Sequence, residues 1–219
     1  MKIGHYFLIL CSCGSTLTVA APVAEVAARF LPDSPAYRIS GPGIEDFQAD
    51  FSATVEIDGQ RRTLRSQDGK IVGKPAASEE TTPYGSSDIT TTAVAFAESG
   101  ITLHLRLGTL PGEQAVLLQT AITNQGSKSI RLISLSAMEP MKLVLAGAPA
   151  DWFATAYAQS TNGGPPNYIG SLDELEKGLN IREYGSVYRK DGMGFLFGPV
   201  GEPLAYLENH VSSSKDGCE

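Results

Sequence analysis

Ile101-Thr102-Leu103-His104-Leu105-Arg106-Leu107-Gly108 alternates between apolar and polar side chains from its first residue to its last. A two-residue period places all the apolar groups on one face of an extended chain and all the polar groups on the other, as a half-buried β-strand requires. A helix would scatter the same four branched side chains around its circumference. The flanks carry the same pattern. Upstream, Thr90–Glu98 is rich in Thr, Val and Phe and is joined to the leucine strand by Ser99-Gly100. Downstream, Leu110-Pro111-Gly112-Glu113 breaks the run. Val116, Leu118, Thr120 and Ile122 then alternate with Ala115, Leu117, Gln119 and Ala121. Asn124-Gln125-Gly126-Ser127 turns the chain into a strand over 129–138, and 142–145 is read as one more.

Further out, Phe51, Ala53, Val55 and Ile57 alternate with Ser52, Thr54, Glu56 and Asp58. Asp58-Gly59 is a tight-turn dipeptide, because Gly accepts positive φ and Asp tolerates it. The chain should return antiparallel over 61–65, turn again in the same way at Asp68-Gly69 and continue at Ile71-Val72. Residues 74–89 read as a polar loop. Residues 22–31 read as a short amphipathic helix stopped by Pro32, followed by an extended piece over Tyr37–Ile39. Toward the other end, Ser171-Leu172-Asp173-Glu174 has the form of a capping box and predicts a second short helix that Gly178 ends. Strands are expected at 183–188, 194–197 and 204–207. Neighbouring strands joined by short turns make an antiparallel meander, and no helix of ten or more residues is available for βαβ crossovers. The expected fold is therefore all-β, an antiparallel β-sandwich with one or two short helices. The expected division is a leader over 1–20, a lead-in over 21–44, the sandwich over 45–210 and a tail or linker over 211–219.

The 219 residues suit one large β-domain, and 42% hydrophobic content is enough for a core. The net charge of −7 leaves no basic stripe to neutralise phosphates, so nucleic acid is not an expected partner. Lys2, the apolar run Tyr6–Cys11 and the small residues of Thr18-Val19-Ala20 have the layout of an export leader cut after Ala20. Leu10-Cys11-Ser12-Cys13-Gly14 offers a second processing route, a lipoprotein box with Cys13 lipidated. The expected localisation is thus periplasmic or extracellular, or lipid-anchored through Cys13. The apolar run is too short for a permanent transmembrane helix. Cleavage after Ala20 leaves Cys218 as the single Cys, so the core must hold the domain without an internal disulfide.

Little in the chain carries chemistry of its own. There is no Gly-x-Ser-x-Gly elbow, and the glycines of Gly192–Gly198 have the wrong spacing for a dinucleotide fingerprint. His104 and His210 lack short ligand spacings, so neither a metal nor a cofactor is expected. The best ligand candidate is the aromatic segment 151–168. Sugars present flat C–H faces that stack on rings and hydroxyls that seek amides and carboxylates. Trp152 and Tyr168 are read as stacking groups, with Asp151 and Asn162 as hydrogen-bonding groups; Phe153, Tyr157, Gln159 and Asn167 belong to the same segment. The competing reading is that these aromatics plug one end of the sandwich, since burial is the default for large rings. No catalytic residue is assigned.

One resemblance is carried by particular phrases. Val116-Leu117-Leu118-Gln119-Thr120-Ala121-Ile122-Thr123-Asn124-Gln125-Gly126 is followed by Ile130-Arg131-Leu132, a Trp-bearing loop and Asp191-Gly192-Met193-Gly194-Phe195-Leu196-Phe197-Gly198. Over about residues 45–210 this order resembles the amino-terminal β-supersandwich of α-galactosidase-like glycoside hydrolases, the group of family 36 and the raffinose synthase relatives. The resemblance implies a non-catalytic part of a carbohydrate-processing enzyme. Its catalytic aspartates would lie in a (β/α)₈ barrel of about 250 residues, which this chain does not reach. The alternatives are an independent carbohydrate-binding or adhesion module, and a structural exported sandwich that binds another protein.

Overall fold

The computed structural model describes residues 3–12, 26–82, 85–110, 115–157, 167–175, 179–181, 184–199, 209–211, 213–214 and 217–218. The expected strand at 204–207, the break at 111–113 and the leader positions Cys13 and Ala20 lie outside the described residues. The strands are β1 (Ile3–Ser12), β2 (Ala27–Phe30), β3 (Tyr37–Gly41), β4 (Ile44–Ile57), β5 (Gln60–Arg65) and β6 (Lys70–Ile71). They continue with β7 (Ala76–Thr82), β8 (Gly85–Phe96), β9 (Ile101–Thr109), β10 (Ala115–Asn124), β11 (Arg131–Leu145), β12 (Trp152–Tyr157) and β13 (Asn167–Ser171). The last are β14 (Leu179–Ile181), β15 (Gly185–Arg189), β16 (Gly194–Pro199), β17 (Asn209–Val211), β18 (Ser213–Ser214) and β19 (Gly217–Cys218).

These strands build the expected antiparallel sandwich. A ten-stranded sheet runs β13-β12-β15-β16-β1-β10-β9-β8-β6, with β7 also paired to β8. A five-stranded sheet runs β11-β4-β3-β2, with β5 also paired to β4. One hydrophobic cluster lies between them. Ile101, Leu103, Leu105 and Leu107 of β9 and Val116, Leu118 and Ile122 of β10 meet Phe47, Ala49, Phe51, Ala53, Val55 and Ile57 of β4 in that cluster. The leucine alternation is thus the inner face of the large sheet. The Asp58-Gly59 hairpin closes as expected, with φ of 52° and 75°, the left-handed pair that a two-residue turn matched to strand twist requires. Among the described residues, no helix is long and apolar enough to cross a membrane.

Several expectations are corrected. Neither expected helix forms over the described residues. Residues 27–30 form β2, which pairs with β3; Leu31 N donates to Ala36 O at 2.9 Å to close that hairpin. Strand pairing over a free edge outweighs the modest helical preference of an Ala-rich quartet. At the capping box only one 3₁₀ turn forms, Leu172–Glu174. The Ser171 hydroxyl makes no capping bond; it donates to the Asp173 carboxylate and, at 3.4 Å, to Trp152 O. The polar loop over 74–89 is instead the β7–β8 hairpin. Its Ser, Thr and Glu side chains suit an edge strand that faces solvent, where no apolar alternation is needed. Asp68-Gly69 is not a second left-handed turn. Ser66–Asp68 is a 3₁₀ turn and Gly69 has φ −101°. The glycine is required there because a Cβ would lie 2.3 Å from Val94 Cγ1.

Two regions acquire unexpected roles. Residues 27–41, read as a lead-in, supply two strands of the smaller sheet. Residues 3–12, read as part of the export leader, form β1. It pairs with β10 on one side and β16 on the other. The segment that a leader peptidase would remove is therefore also the strand that joins the two halves of the large sheet. Within the expected tail, Ser213–Ser214 and Gly217–Cys218 form a small antiparallel pair.

Candidate functional site

Trp152 opens β12 and points inward. It is 1% exposed, and its indole N–H donates to Ala146 O at 2.8 Å. Gly43, in the β3–β4 turn with φ +77°, packs against the ring; a Cβ there would lie 3.3 Å from Trp152 Cη2. The Arg189 guanidinium lies 6.0 Å from the ring centroid. The indole is thus buried with its N–H satisfied within the domain, which is the geometry of a plug between the sheets. Asp151 is exposed and ends a 3₁₀ turn, where its carbonyl accepts from Lys190 N at 3.2 Å. Tyr168 lies opposite Ala156 in the β12–β13 pairing, and Asn162 lies outside the described residues.

The opposite face of the same strands carries the more accessible aromatics. Along β12, Trp152, Ala154 and Ala156 are buried, so Phe153 and Thr155 look outward. Phe153 stands opposite Tyr188 of β15. Their rings stack with centroids 5.8 Å apart and planes 24° apart. Thr155 stands opposite Ser186, with hydroxyl oxygens 2.6 Å apart. Tyr184, immediately before β15, is 44% exposed, and Leu196 of β16 and Ile169 of β13 border the patch at 39% and 72%. Lys190 Nζ lies 5.7 Å from the Phe153 ring centroid. At Arg189, the hydrogen bond donated to Asp191 holds that carboxyl below its usual range.

Two glycines of β16 let β15 and Tyr184 approach the sheet closely. A Cβ on Gly194 would lie 2.4 Å from the Val187 carbonyl oxygen and 2.6 Å from Tyr188 Cα and Cβ, and one on Gly198 would lie 2.2 Å from Tyr184 Cδ1. The glycine spacing that fails as a nucleotide motif therefore has a packing cause. Gly198 leaves out the side chain that would otherwise occupy the space of the Tyr184 ring, and Gly194 lets the backbone of β15 at Val187 and Tyr188 approach closely. The result is a patch of three aromatic rings interleaved with two hydroxyls and one ammonium. Such a surface can stack on the C–H face of a pyranose and hydrogen-bond its hydroxyls. Sequence reasoning names Phe153 and misses Tyr184, Ser186 and Tyr188. Their common parity on one strand is the available signal.

Two other places bring polar groups together. Asp50 of β4 faces Glu139 of β11 across the bulged β4–β11 pairing. Asp50 is 3% exposed and accepts from Gln67 Nε2 at 2.8 Å. Burial, together with the nearby Glu139 charge, pushes its carboxyl up to about 6. Glu139 accepts from the Ser52 hydroxyl and lies 3.8 Å from Arg65 Nε. Paired carboxyls can perform acid–base chemistry only where a substrate reaches them, and Asp50 is covered. A cleft of about 370 Å³ opens at the end of the sandwich between the turns at 57–60, 97–100 and 126–128. Among the described residues its walls carry no aromatic ring, and the Lys128–Asp58 ion pair bridges the turns at 58–59 and 126–128 there. Among the described residues, no group of three His, Cys, Asp or Glu side chains stands close enough to hold a metal ion.

No family profile, curated protein or solved structure matches this chain.

Proposed function

We propose that this chain is an exported, non-catalytic β-sandwich that binds carbohydrate on the outer face of β12, β15 and β16. The observation that carries the reading is the ring pair Phe153–Tyr188 continued by Tyr184, all on one exposed sheet face, with the Thr155 and Ser186 hydroxyls between them. A sugar stacked there keeps its equatorial hydroxyls within reach of these groups. Trp152 supports the site from the inner face of β12 and does not touch the ligand.

The resemblance to α-galactosidase-like glycoside hydrolases supports the narrower form of the proposal, in which the sandwich orients a catalytic barrel and presents glycan to it. An independent carbohydrate-binding module is the second reading. It is favoured by the position of the ring patch on an open sheet face.

Affinity electrophoresis through gels containing soluble polysaccharides tests the binding. The chain should be retarded by at least one of them. Phe153→Ala and Tyr188→Ala should each weaken retardation about tenfold, the equivalent of losing ~1.4 kcal/mol of stacking. Incubation with an aryl α-galactoside should give no turnover. Hydrolysis by the chain alone, or identical mobility in every gel, would overturn the proposal.

A further inference from the structure

The ten-stranded sheet is two smaller sheets joined by β1. On one side stand β10, β9, β8, β7 and β6; on the other stand β16, β15, β12 and β13. Residues Ile3–Leu10 pair with β10, and residues Phe7–Ser12 pair with β16, both antiparallel. Phe7, Leu8, Ile9 and Leu10 are the positions paired on both sides. Neighbouring strands in a sheet lie about 4.8 Å apart, so β10 and β16 are separated by about twice that. They cannot bond each other without moving together by the width of one strand.

We propose that the exported domain, once residues up to Ala20 have been removed, accepts an extended apolar strand of a partner polypeptide between β10 and β16. The inference rests on the exported reading, since an export leader cut after Ala20 would take β1 with it. Removal leaves two facing rows of backbone N–H and C=O groups, each of which seeks a partner. The side chains beside the slot set the chemistry of the occupant. On the core side are Val116 and Leu118 of β10 and Phe195 and Phe197 of β16, all buried. On the other side are Ala115 and Leu117, buried with Leu110, and Leu196 at 39% exposure. An entering strand must therefore be apolar at consecutive positions, as Phe7-Leu8-Ile9-Leu10 is. It must also run antiparallel to both neighbours. This is strand addition with two edges in place of one, so successive occupant residues form main-chain bonds alternately to β10 and to β16. A proline among these positions removes a donor and cannot be accommodated at the centre of a sheet.

The test uses the full chain with a protease site inserted between residues 13 and 25. The chain is folded, cut and mixed with a fluorescent decapeptide of the Ile3–Ser12 sequence. The labelled peptide should exchange into the cut chain at one per domain. The same peptide carrying Ile9→Pro should bind at least tenfold more weakly, and Leu118→Lys in the domain should weaken the unaltered peptide similarly. Two results overturn the slot: the cut strand never exchanges, or it leaves while the amides of β10 and β16 stay protected from hydrogen exchange because the edges have closed on each other. Mass measurement of the exported product tests the leader separately. A product that keeps residues 3–12 overturns the cleavage after Ala20 and the vacancy with it, whereas the exchange result then still reports on the slot itself. Self-association of the cut chain without added peptide would identify a second copy, not a partner, as the occupant.

Discussion

Gly198 lies against the ring of Tyr184, so close that a Cβ on the glycine would come within 2.2 Å of Tyr184 Cδ1. The glycine is there for the ring. Its φ does not fall in the left-handed region, so any residue could adopt its backbone, and the constraint is purely one of space.

Gly198→Ala should therefore displace Tyr184 and cost about 1–3 kcal/mol of stability in urea unfolding, the usual penalty of forcing a methyl into an occupied position. In the Tyr184→Ala background the same substitution should cost much less, because the clashing ring is gone. A double-mutant cycle measures that coupling. Additive effects would contradict the contact. Gly59→Ala provides a contrast. A methyl group there would meet nothing within 4 Å, but φ is +75°, so the cost should be about 1 kcal/mol and independent of Tyr184.

Trp152 should behave as a structural residue. Trp152→Ala removes a ring that is 1% exposed and should cost about 3–5 kcal/mol. Trp152→Phe keeps an aromatic ring and loses only part of its volume and the hydrogen bond to Ala146 O, so it should cost less and leave glycan retardation unchanged. Loss of retardation in the folded Trp152→Phe protein would return the ligand site to the inner face.

The buried Asp50 makes a pH prediction with a definite sign. Its carboxyl titrates at about 6 in the folded domain, against ~3.9 for an aspartate in an unfolded chain. Between these values the unfolded state loses the proton and the folded state keeps it. Stability contributed by this group is therefore fully present below about 3.9, falls as pH rises and is lost above about 6. The span is worth about 3 kcal/mol. Asp46 and Glu80, whose carboxyls are held low by neighbouring cations, act in the opposite direction. The effect of Asp50 is isolated by comparing urea unfolding of the unaltered chain and Asp50→Asn between pH 4 and pH 7. The unaltered chain should lose stability relative to the variant across that window. Parallel profiles would contradict the buried, protonated carboxyl. Glu139→Gln should reduce the difference, because its charge is one cause of the shift.

Much of the fold is legible in the sequence because alternation reports burial directly. β4, β9 and β10 each carry a continuous apolar inner face, and their sequences display it. β7 escapes such a reading for the complementary reason. An edge strand with two wet faces has no apolar period, and its Ser-Glu-Glu-Thr-Thr composition is that of a loop. β2 escapes it because four Ala-rich residues carry almost no preference of their own, and only the edge offered by β3 decides their state. At the site, Trp152 stands out as the single tryptophan, and the aromatic pattern around it is visible in the sequence. Which ring faces in and which faces out depends on strand parity across β12 and β15. Phe153 and Tyr188 are 35 positions apart and meet only through the register of two strands that sequence alone cannot align.

The most direct test of the carbohydrate face is a backbone and side-chain NMR titration of the ¹⁵N, ¹³C-labelled chain with raffinose-type, cello- and manno-oligosaccharides. Binding as proposed shifts the resonances of Phe153, Thr155, Tyr184, Ser186 and Tyr188 together and leaves the Trp152 indole N–H in place. A titration in which the Trp152 indole moves and the Phe153–Tyr188 pair stays still would contradict it, as would the absence of any shift with every oligosaccharide.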